Sequence, residues 1–147
     1  MVMAKYLLDT SICISLFRRD PFVLAKIKEV GQENCCVSEM TLAELSYGAW
    51  KSANPKHFDD VANIERAFEI LPVYPAIDTY GKIKAQLEQI GQRVDEIDLF
   101  IGATASFNHC IMVTHNEKHF TPHPASAGGE LESMIASKLC GFYHFRL

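Results

Sequence analysis

The chain has 147 residues, of which 48% are hydrophobic and 22% are charged. This length and composition fit one domain with a substantial core, and they exclude a chain that is disordered throughout. The formal net charge of −4 argues against binding nucleic acid through bulk positive charge. It does not exclude an enzyme whose acids bind divalent cations, because the metal ions do not enter the formal count.

Cysteine usage and hydropathy indicate the compartment. The 5 cysteines are irregularly spaced and form no Cys-x-x-Cys pair, so we expect a reducing cytoplasm and no disulfide framework. No apolar run approaches the ~20 residues that span a bilayer, and Asp9 soon interrupts the short apolar run near the N-terminus. We therefore expect neither a membrane segment nor a secretory signal.

Short apolar segments alternate along the chain with segments of helical periodicity. Strands are predicted near residues 5–8, 34–38, 71–74, 110–114 and 141–145. Helices are predicted near residues 11–17, 21–30, 38–53, 58–71, 77–90, 95–108 and 130–139. This alternation predicts a single α/β domain over residues 1–147, with a parallel sheet that carries helices on both faces. In such a sheet the functional site lies at the carboxyl ends of the strands.

Acids and one amide lie at or near this predicted edge of the sheet. They are, in chain order, Asp9, Glu44, Asp95, Asp98, Asn116 and Glu117. Clustered carboxylates repel one another unless a cation joins them. Oxygen ligands without Cys or clustered His select Mg²⁺ or Mn²⁺ over zinc. The cluster therefore suggests metal-assisted hydrolysis of a phosphodiester.

Each acid also has an ordinary structural explanation. Asp9 can cap the helix that begins near Ser11. Glu44 ends the sequence TLAE, which matches a capping box, although a helix that begins at Ser38 would make Glu44 an interior residue. Asp95 and Asp98, three residues apart, can be first-turn acids that the helix dipole favours. A metal site is favoured by the presence of all these acids near one edge of the sheet, rather than by any single acid.

Four stretches of the sequence match, in order, the motifs of a known family. They are YLLDTSICISL, VSEMTLAELSYG, DEIDLFIGATA and IMVTHNEKHF, within residues 5–120. With these motifs the chain resembles the PIN-domain family, and within it the VapC-type ribonuclease toxins of prokaryotic toxin–antitoxin pairs. The resemblance implies a three-layer α/β/α fold, dependence on Mg²⁺ or Mn²⁺, and endonucleolytic cleavage of RNA, for which structured tRNA is the expected substrate. It also implies a homodimer and a small antitoxin that blocks the site.

The resemblance implies roles for individual residues as well. Asp9, Glu44 and Asp98 are the expected metal ligands and catalytic residues. Asp95 is expected to support them, and Asn116 to contribute through its amide oxygen or a water.

Other residues are expected to contact the substrate or a partner. The backbone near Thr10 and Ser11 and the hydroxyl of Thr114 are expected to orient waters or phosphate. Four basic side chains are candidate phosphate contacts, although a solvated surface is the ordinary explanation for each: Arg18, Arg19, Lys51 and Lys56. Three apolar residues are expected in the core, with a partner groove as the alternative: Trp50, Phe58 and Phe68.

The fourth motif departs from the family pattern. His119 occupies a position where an acid is common, so Asn116, Glu117 or Asp95 is expected to replace the fourth ligand. The segment 121–137 is longer than the compact ending expected for the family, and we expect it to border the groove or to bind the partner.

Three alternatives stay open. The imperfect fourth motif favours a catalytically inactive PIN-fold module that binds protein. A phosphohydrolase with Asp9 as nucleophile is disfavoured, because that chemistry usually needs an acid at the position that Ser11 occupies. The three histidines spaced four apart in HNEKHFTPH could bind a transition metal on a helix, but Pro122 disfavours a continuous helix there.

Overall fold

Four parallel strands form the centre of the computed structural model, which describes residues 3–115. In chain order they are β1 (Tyr6–Leu8), β2 (Cys35–Ser38), β3 (Glu69–Leu71) and β4 (Ile111–Val113). Their order across the sheet is β3-β2-β1-β4. Leu7 lies opposite Cys36 on one side and opposite Met112 on the other. Because β1 is central, the carboxyl ends of β2, β1 and β4 meet at one edge of the sheet.

Six α-helices accompany these strands within the described residues. They are α1 (Thr10–Phe17), α2 (Pro21–Val30), α3 (Glu39–Ser52), α4 (Pro55–Ala67), α5 (Ile77–Gln89) and α6 (Glu96–Phe107). None of the helices between residues 3 and 115 is long and apolar enough to cross a bilayer.

Several predictions concern residues beyond this range. The helix near 130–139, the strand near 141–145 and the segment 121–137 lie outside the described residues, as do Asn116, Glu117 and His119.

Helices cover both faces of the sheet. Leu7 and Leu8 are 0% and 2% exposed, and neighbouring side chains on a strand point to opposite faces. On the Leu7 face, Ile101 and Ala105 of α6 complete one apolar cluster. On the Leu8 face, a second cluster is completed by residues from α1, α2, α3 and α4: Ile12, Val23, Leu45 and Ile64. The predicted three-layer α/β/α fold is confirmed.

Local signals in the sequence explain where two of the helices begin. The Asp20 side chain accepts hydrogen bonds from the backbone N–H groups of Phe22 (2.9 Å) and Val23 (3.3 Å), with proline next in the chain. Asn54 caps α4 in the same way, ahead of Pro55. These polar caps satisfy backbone donors that the first turn of a helix leaves unpaired.

The third strand lies earlier than predicted. It runs over Glu69–Leu71 rather than over residues 71–74, and it pairs with Cys36–Ser38 of β2. Pro72 has no N–H to donate to the ladder, so the strand ends before it. The preceding helix α4 accordingly ends at Ala67, earlier than the helical spacing predicted.

The prediction that Trp50 and Phe58 belong to the core is wrong. Trp50 is 74% exposed and Phe58 is 37% exposed, and their rings meet edge to face with centroids 5.1 Å apart. Phe68 is half-buried and packs against the Leu8 cluster. Helical spacing identifies an apolar face, but it does not tell which other surface of the protein covers it.

The placement of Leu7 at the centre of the sheet gives a test of the fold. Leu7→Ala is expected to lower the free energy of unfolding by about 2–5 kcal/mol, because the side chain is fully buried and its removal leaves a cavity. Urea denaturation measures the change. Leu24→Ala on α2 is the matched control, since Leu24 is 46% exposed. An equal loss in both variants would contradict the burial described above.

Candidate active site

Asp9 lies directly after β1 and is only 4% exposed. Its backbone N–H donates to the Val113 carbonyl (3.1 Å), so the pairing of β1 with β4 continues to Asp9. Its carboxylate Oδ1 accepts from the Ile12 backbone N–H (3.1 Å) and from the Ser11 hydroxyl (2.6 Å). Asp9 is therefore the cap of α1, as its ordinary structural explanation predicted, and the helix begins at Thr10, one residue earlier than the sequence indicated.

Glu44 lies in the interior of α3 and is half-buried. The Thr10 hydroxyl donates a hydrogen bond to its Oε1 and so joins the start of α1 to α3. The cap of α3 is Ser38, whose side chain accepts from the backbone N–H of Met40 (3.1 Å). Glu44 is therefore not part of a capping box, and its carboxylate is available for another role.

Asp95 and Asp98 lie at the start of α6. Asp95 is exposed and caps the helix, since its Oδ1 accepts from the backbone N–H groups of Ile97 (3.0 Å) and Asp98 (3.4 Å). Asp98 is in the first turn and is partly buried. Asp98 is therefore the first-turn acid that the ordinary explanation predicted, whereas Asp95 is the cap itself rather than a first-turn acid. That Asp95 also supports a metal ion stays a prediction.

The electrostatics of Glu44 show that these acids converge. Burial is the main cause that raises the pKa of the Glu44 carboxyl above its ordinary value, against the hydrogen bond from Thr10, which lowers it. The negative charges of Asp98, Asp95 and Asp9 raise the pKa of Glu44 further. Acids from two separate parts of the chain, the end of β1 and the start of α6, therefore lie close enough to act on the carboxyl group of Glu44.

The donor set fits a hard cation that keeps part of its water shell. The four side chains offer only carboxylate oxygens, the ligands that Mg²⁺ and Mn²⁺ prefer. Within residues 3–115, no group of three or more His, Cys, Asp or Glu side chains is arranged to hold a metal ion by itself. Mg²⁺ usually binds through one or two carboxylates and several waters, so this open arrangement suits it better than it suits zinc.

Hydroxyl groups connect the site to the end of β4. Ser11 Oγ, which donates to Asp9, also accepts from the backbone N–H of His115 (3.1 Å). The His115 ring Nε2 lies 3.0 Å from Ser15 Oγ, one turn further along α1. Thr114, between β4 and His115, is buried at 9% exposure. No pattern in the sequence predicted the contact between Ser15 and His115, since the two residues are 100 positions apart.

The predicted site residues therefore fall into three groups. The structure brings Asp9, Glu44, Asp95 and Asp98 together. The hydroxyls of Thr10 and Ser11 donate to two of these acids, and a role in orienting substrate stays a prediction for both and for Thr114. The position of Asn116 lies outside the described residues.

Comparison with known proteins identifies the class to which this fold and site belong. Residues 6–121 match the sequence model of the PIN domain. Because this match covers most of the chain, the chain belongs to the PIN-domain family, as the four motifs predicted.

Individual relatives narrow the comparison to VapC proteins. The chain is 36% identical to ribonuclease VapC2 of Haemophilus influenzae, over 80% of this chain and 91% of the relative. It is 34% identical to the tRNA(fMet)-specific endonuclease VapC of Shigella flexneri, with the same coverage. The solved structure of DNA-bound VapBC from Salmonella typhimurium matches with a TM-score of 0.75 and 31% identity, over 83% of this chain and 94% of the other. The resemblance to VapC-type ribonucleases is thereby confirmed.

The raised pKa of Glu44 predicts how stability depends on pH without metal. A carboxyl whose pKa is higher in the folded state binds more protons there, so folding loses stability as the pH rises from the unfolded pKa through the folded one. In a chelating buffer, Glu44→Gln is expected to raise the free energy of unfolding at neutral pH. The gain should shrink as the pH falls through the raised pKa of Glu44 to the ordinary pKa of glutamate, below which both states are protonated.

Chemical denaturation at several pH values measures this effect. Glu65→Gln, at an exposed position on α4, controls for the loss of one negative charge. A Glu44→Gln chain that is less stable than the native chain at neutral pH, or whose difference from it does not change with pH, would contradict the repulsion described above.

Proposed function

We propose that this chain is a Mg²⁺- or Mn²⁺-dependent endoribonuclease that cleaves structured RNA such as tRNA and acts as the toxin of a toxin–antitoxin pair. The observation that carries the proposal is the convergence of Asp9, Asp95 and Asp98 on Glu44, expressed in the raised pKa of Glu44. Perturbed carboxyl groups at the carboxyl edge of a parallel sheet are typical of catalytic sites.

The acids have distinct duties in this proposal. Asp9, Glu44 and Asp98 would hold the divalent ion, with Asp95 in support. When bound, such an ion offsets the negative charge, polarises a phosphate oxygen and lowers the pKa of a water. Asn116 follows β4 closely in the sequence and is proposed as a further ligand through a water.

The protein fixes two of these acids before any substrate arrives. The Ile12 backbone N–H and the Ser11 hydroxyl hold Asp9, and Thr10 holds Glu44. Groups that are already oriented need no reorganisation during the reaction, which is how an enzyme site stabilises developing charge. The hydroxyl of Thr114, at the end of β4, is proposed to orient water or phosphate.

The substrate class rests on the relatives. Relatives in Shigella flexneri and Salmonella typhimurium are named tRNA(fMet)-specific endonucleases, at 34% and 32% identity to this chain. We extend that class to this chain as a proposal. The four carboxylates are compatible with a phosphodiester substrate if a divalent cation is bound. The cation would offset their negative charge and attract the phosphates of the RNA backbone.

Partners and cellular location complete the proposal. The similar structure from Salmonella typhimurium is that of VapBC bound to DNA. We therefore propose that this chain has an antitoxin partner and also forms a homodimer. The exposed aromatic side chains of Tyr47 and Trp50 support a protein contact on α3.

The free thiols of the four cysteines in the described residues support a location in the reducing cytoplasm. We also propose that residues 1–147 form one PIN domain.

Cleavage of tRNA by matched variants tests the function. The native chain is expected to cut tRNA with Mg²⁺ or Mn²⁺ and to lose activity in EDTA. Asp9→Asn and Asp98→Asn should each slow cleavage by more than about a hundredfold. Loss of a residue that only hydrogen-bonds to a metal ligand already costs about 10–100-fold in activity, and loss of the ligand itself should cost more. Asp59→Asn, at an exposed position on α4, should cleave at the native rate.

The outcomes separate the alternatives. Equal cleavage by the native chain and by both site variants would exclude the metal site. A native chain that cleaves none of a varied set of RNAs, while it binds a protein partner, would favour the inactive PIN-fold module instead.

A further inference from the structure

A groove leads away from the acids between α1, α3 and α4. Thr10 and Glu44 line it beside the site, and Arg18, Ser52 and Lys56 line it further along. Both α1 and α3 begin at the carboxyl edge of the sheet. Arg18 directly follows α1, eight positions after Thr10, and Ser52 lies eight positions after Glu44 on α3. Either spacing corresponds to about 12 Å at 1.5 Å per residue. The groove therefore has an acidic end and a second end that carries basic side chains.

Among residues 3–115, no acid forms an ion pair with the basic side chains at this second end. Arg18 and Lys56 are both exposed. The ion pairs found among residues 3–115 belong to other lysines, Lys5, Lys26 and Lys84. Two of the predicted phosphate contacts, Arg18 and Lys56, therefore share one groove with both charges available to an anion.

Other charged groups at this end modify its potential. Asp60 lines the same groove one turn after Lys56 and partly offsets the positive charge. His57, another lining residue, has its Nδ1 2.7 Å from Ser52 Oγ. Lys51 lies outside the groove lining, with its Nζ 5.7 Å from the centre of the Tyr47 ring. The net charge of this end thus depends on Arg18, Lys56 and Asp60.

We propose that Arg18 and Lys56 form a phosphate-binding subsite that holds the RNA backbone away from the bond that is cut. The inference rests on the endoribonuclease function proposed above and assigns part of its substrate contact. A chain with a net charge of −4 and clustered acids repels RNA, so local cations must hold the backbone across the site. The distance of about 12 Å along the helices places the subsite at a neighbouring phosphate rather than at the scissile one.

Salt dependence of RNA binding tests the subsite without relying on cleavage. The probe is a fluorescein-labelled single-stranded RNA of mixed sequence, bound to the full chain with Asp98→Asn to suppress cleavage, at fixed Mg²⁺. Each lost phosphate contact lowers the slope of log affinity against log salt by about 0.7 for a single strand. Arg18→Ala with Lys56→Ala should therefore reduce the slope by about 1.4 and weaken binding more than tenfold near 0.1 M salt.

Two sets of variants control for general charge effects. Lys28→Ala with Lys82→Ala removes the same charge from exposed positions on α2 and α5, outside the groove, and should leave the slope unchanged. Asp60→Asn removes the opposing charge and should tighten binding. Unfolding midpoints of all variants should match that of the Asp98→Asn chain, since Arg18 and Lys56 are exposed.

The results decide between clear outcomes. The subsite is overturned if the Arg18 and Lys56 variant binds RNA with the slope of the Lys28 and Lys82 control. It is also overturned if that variant binds RNA as the native groove does but no longer binds the antitoxin. That result would assign the groove to the protein partner. Cleavage of tRNA by the native chain separates the two proposals: a change in slope without native cleavage would support the subsite and contradict the endoribonuclease.

Discussion

Repulsion among carboxylates is the constraint on which the rest of this site depends. Glu44 is half-buried beside the charges of Asp9, Asp95 and Asp98, and its pKa is raised by burial and by those three charges. Such an arrangement opposes folding at neutral pH unless a cation joins the acids. The protein accepts this cost at one place, where the fold brings the carboxyl ends of parallel strands together.

The fold holds the acids with the same groups that build its helices. Asp9 is both the cap of α1 and the most buried acid of the site. These two roles agree, because a helix N-terminus favours negative charge. The Thr10 hydroxyl then links α1 to Glu44 by a hydrogen bond. The Ser11 hydroxyl links Asp9 to the backbone N–H of His115 in the same way. A structural explanation for one acid therefore does not argue against its function.

Much of this could be predicted from the sequence, and the exceptions have physical causes. The apolar runs predicted β1, β2 and β4, whereas β3 was displaced because Pro72 cannot extend a ladder. Periodicity alone could not bring Glu44 close to Asp98, more than 50 positions away, and the order of the family motifs supplied that link. The exposure of Trp50 and the shared groove of Arg18 and Lys56 depend on how helices pack, which local patterns do not encode.

The central claim is that Asp9, Glu44 and Asp98, supported by Asp95, hold one divalent cation in the folded state, and Mn²⁺-dependent stability tests it most directly. An ion that binds only the folded chain raises the free energy of unfolding, by ~2.7 kcal/mol when its concentration is a hundred times its Kd. We expect this rise in the native chain and in Asp59→Asn, and its loss in Asp9→Asn and in Asp98→Asn. A free energy of unfolding that does not respond to Mn²⁺, or that responds equally in all four proteins, would contradict the claim.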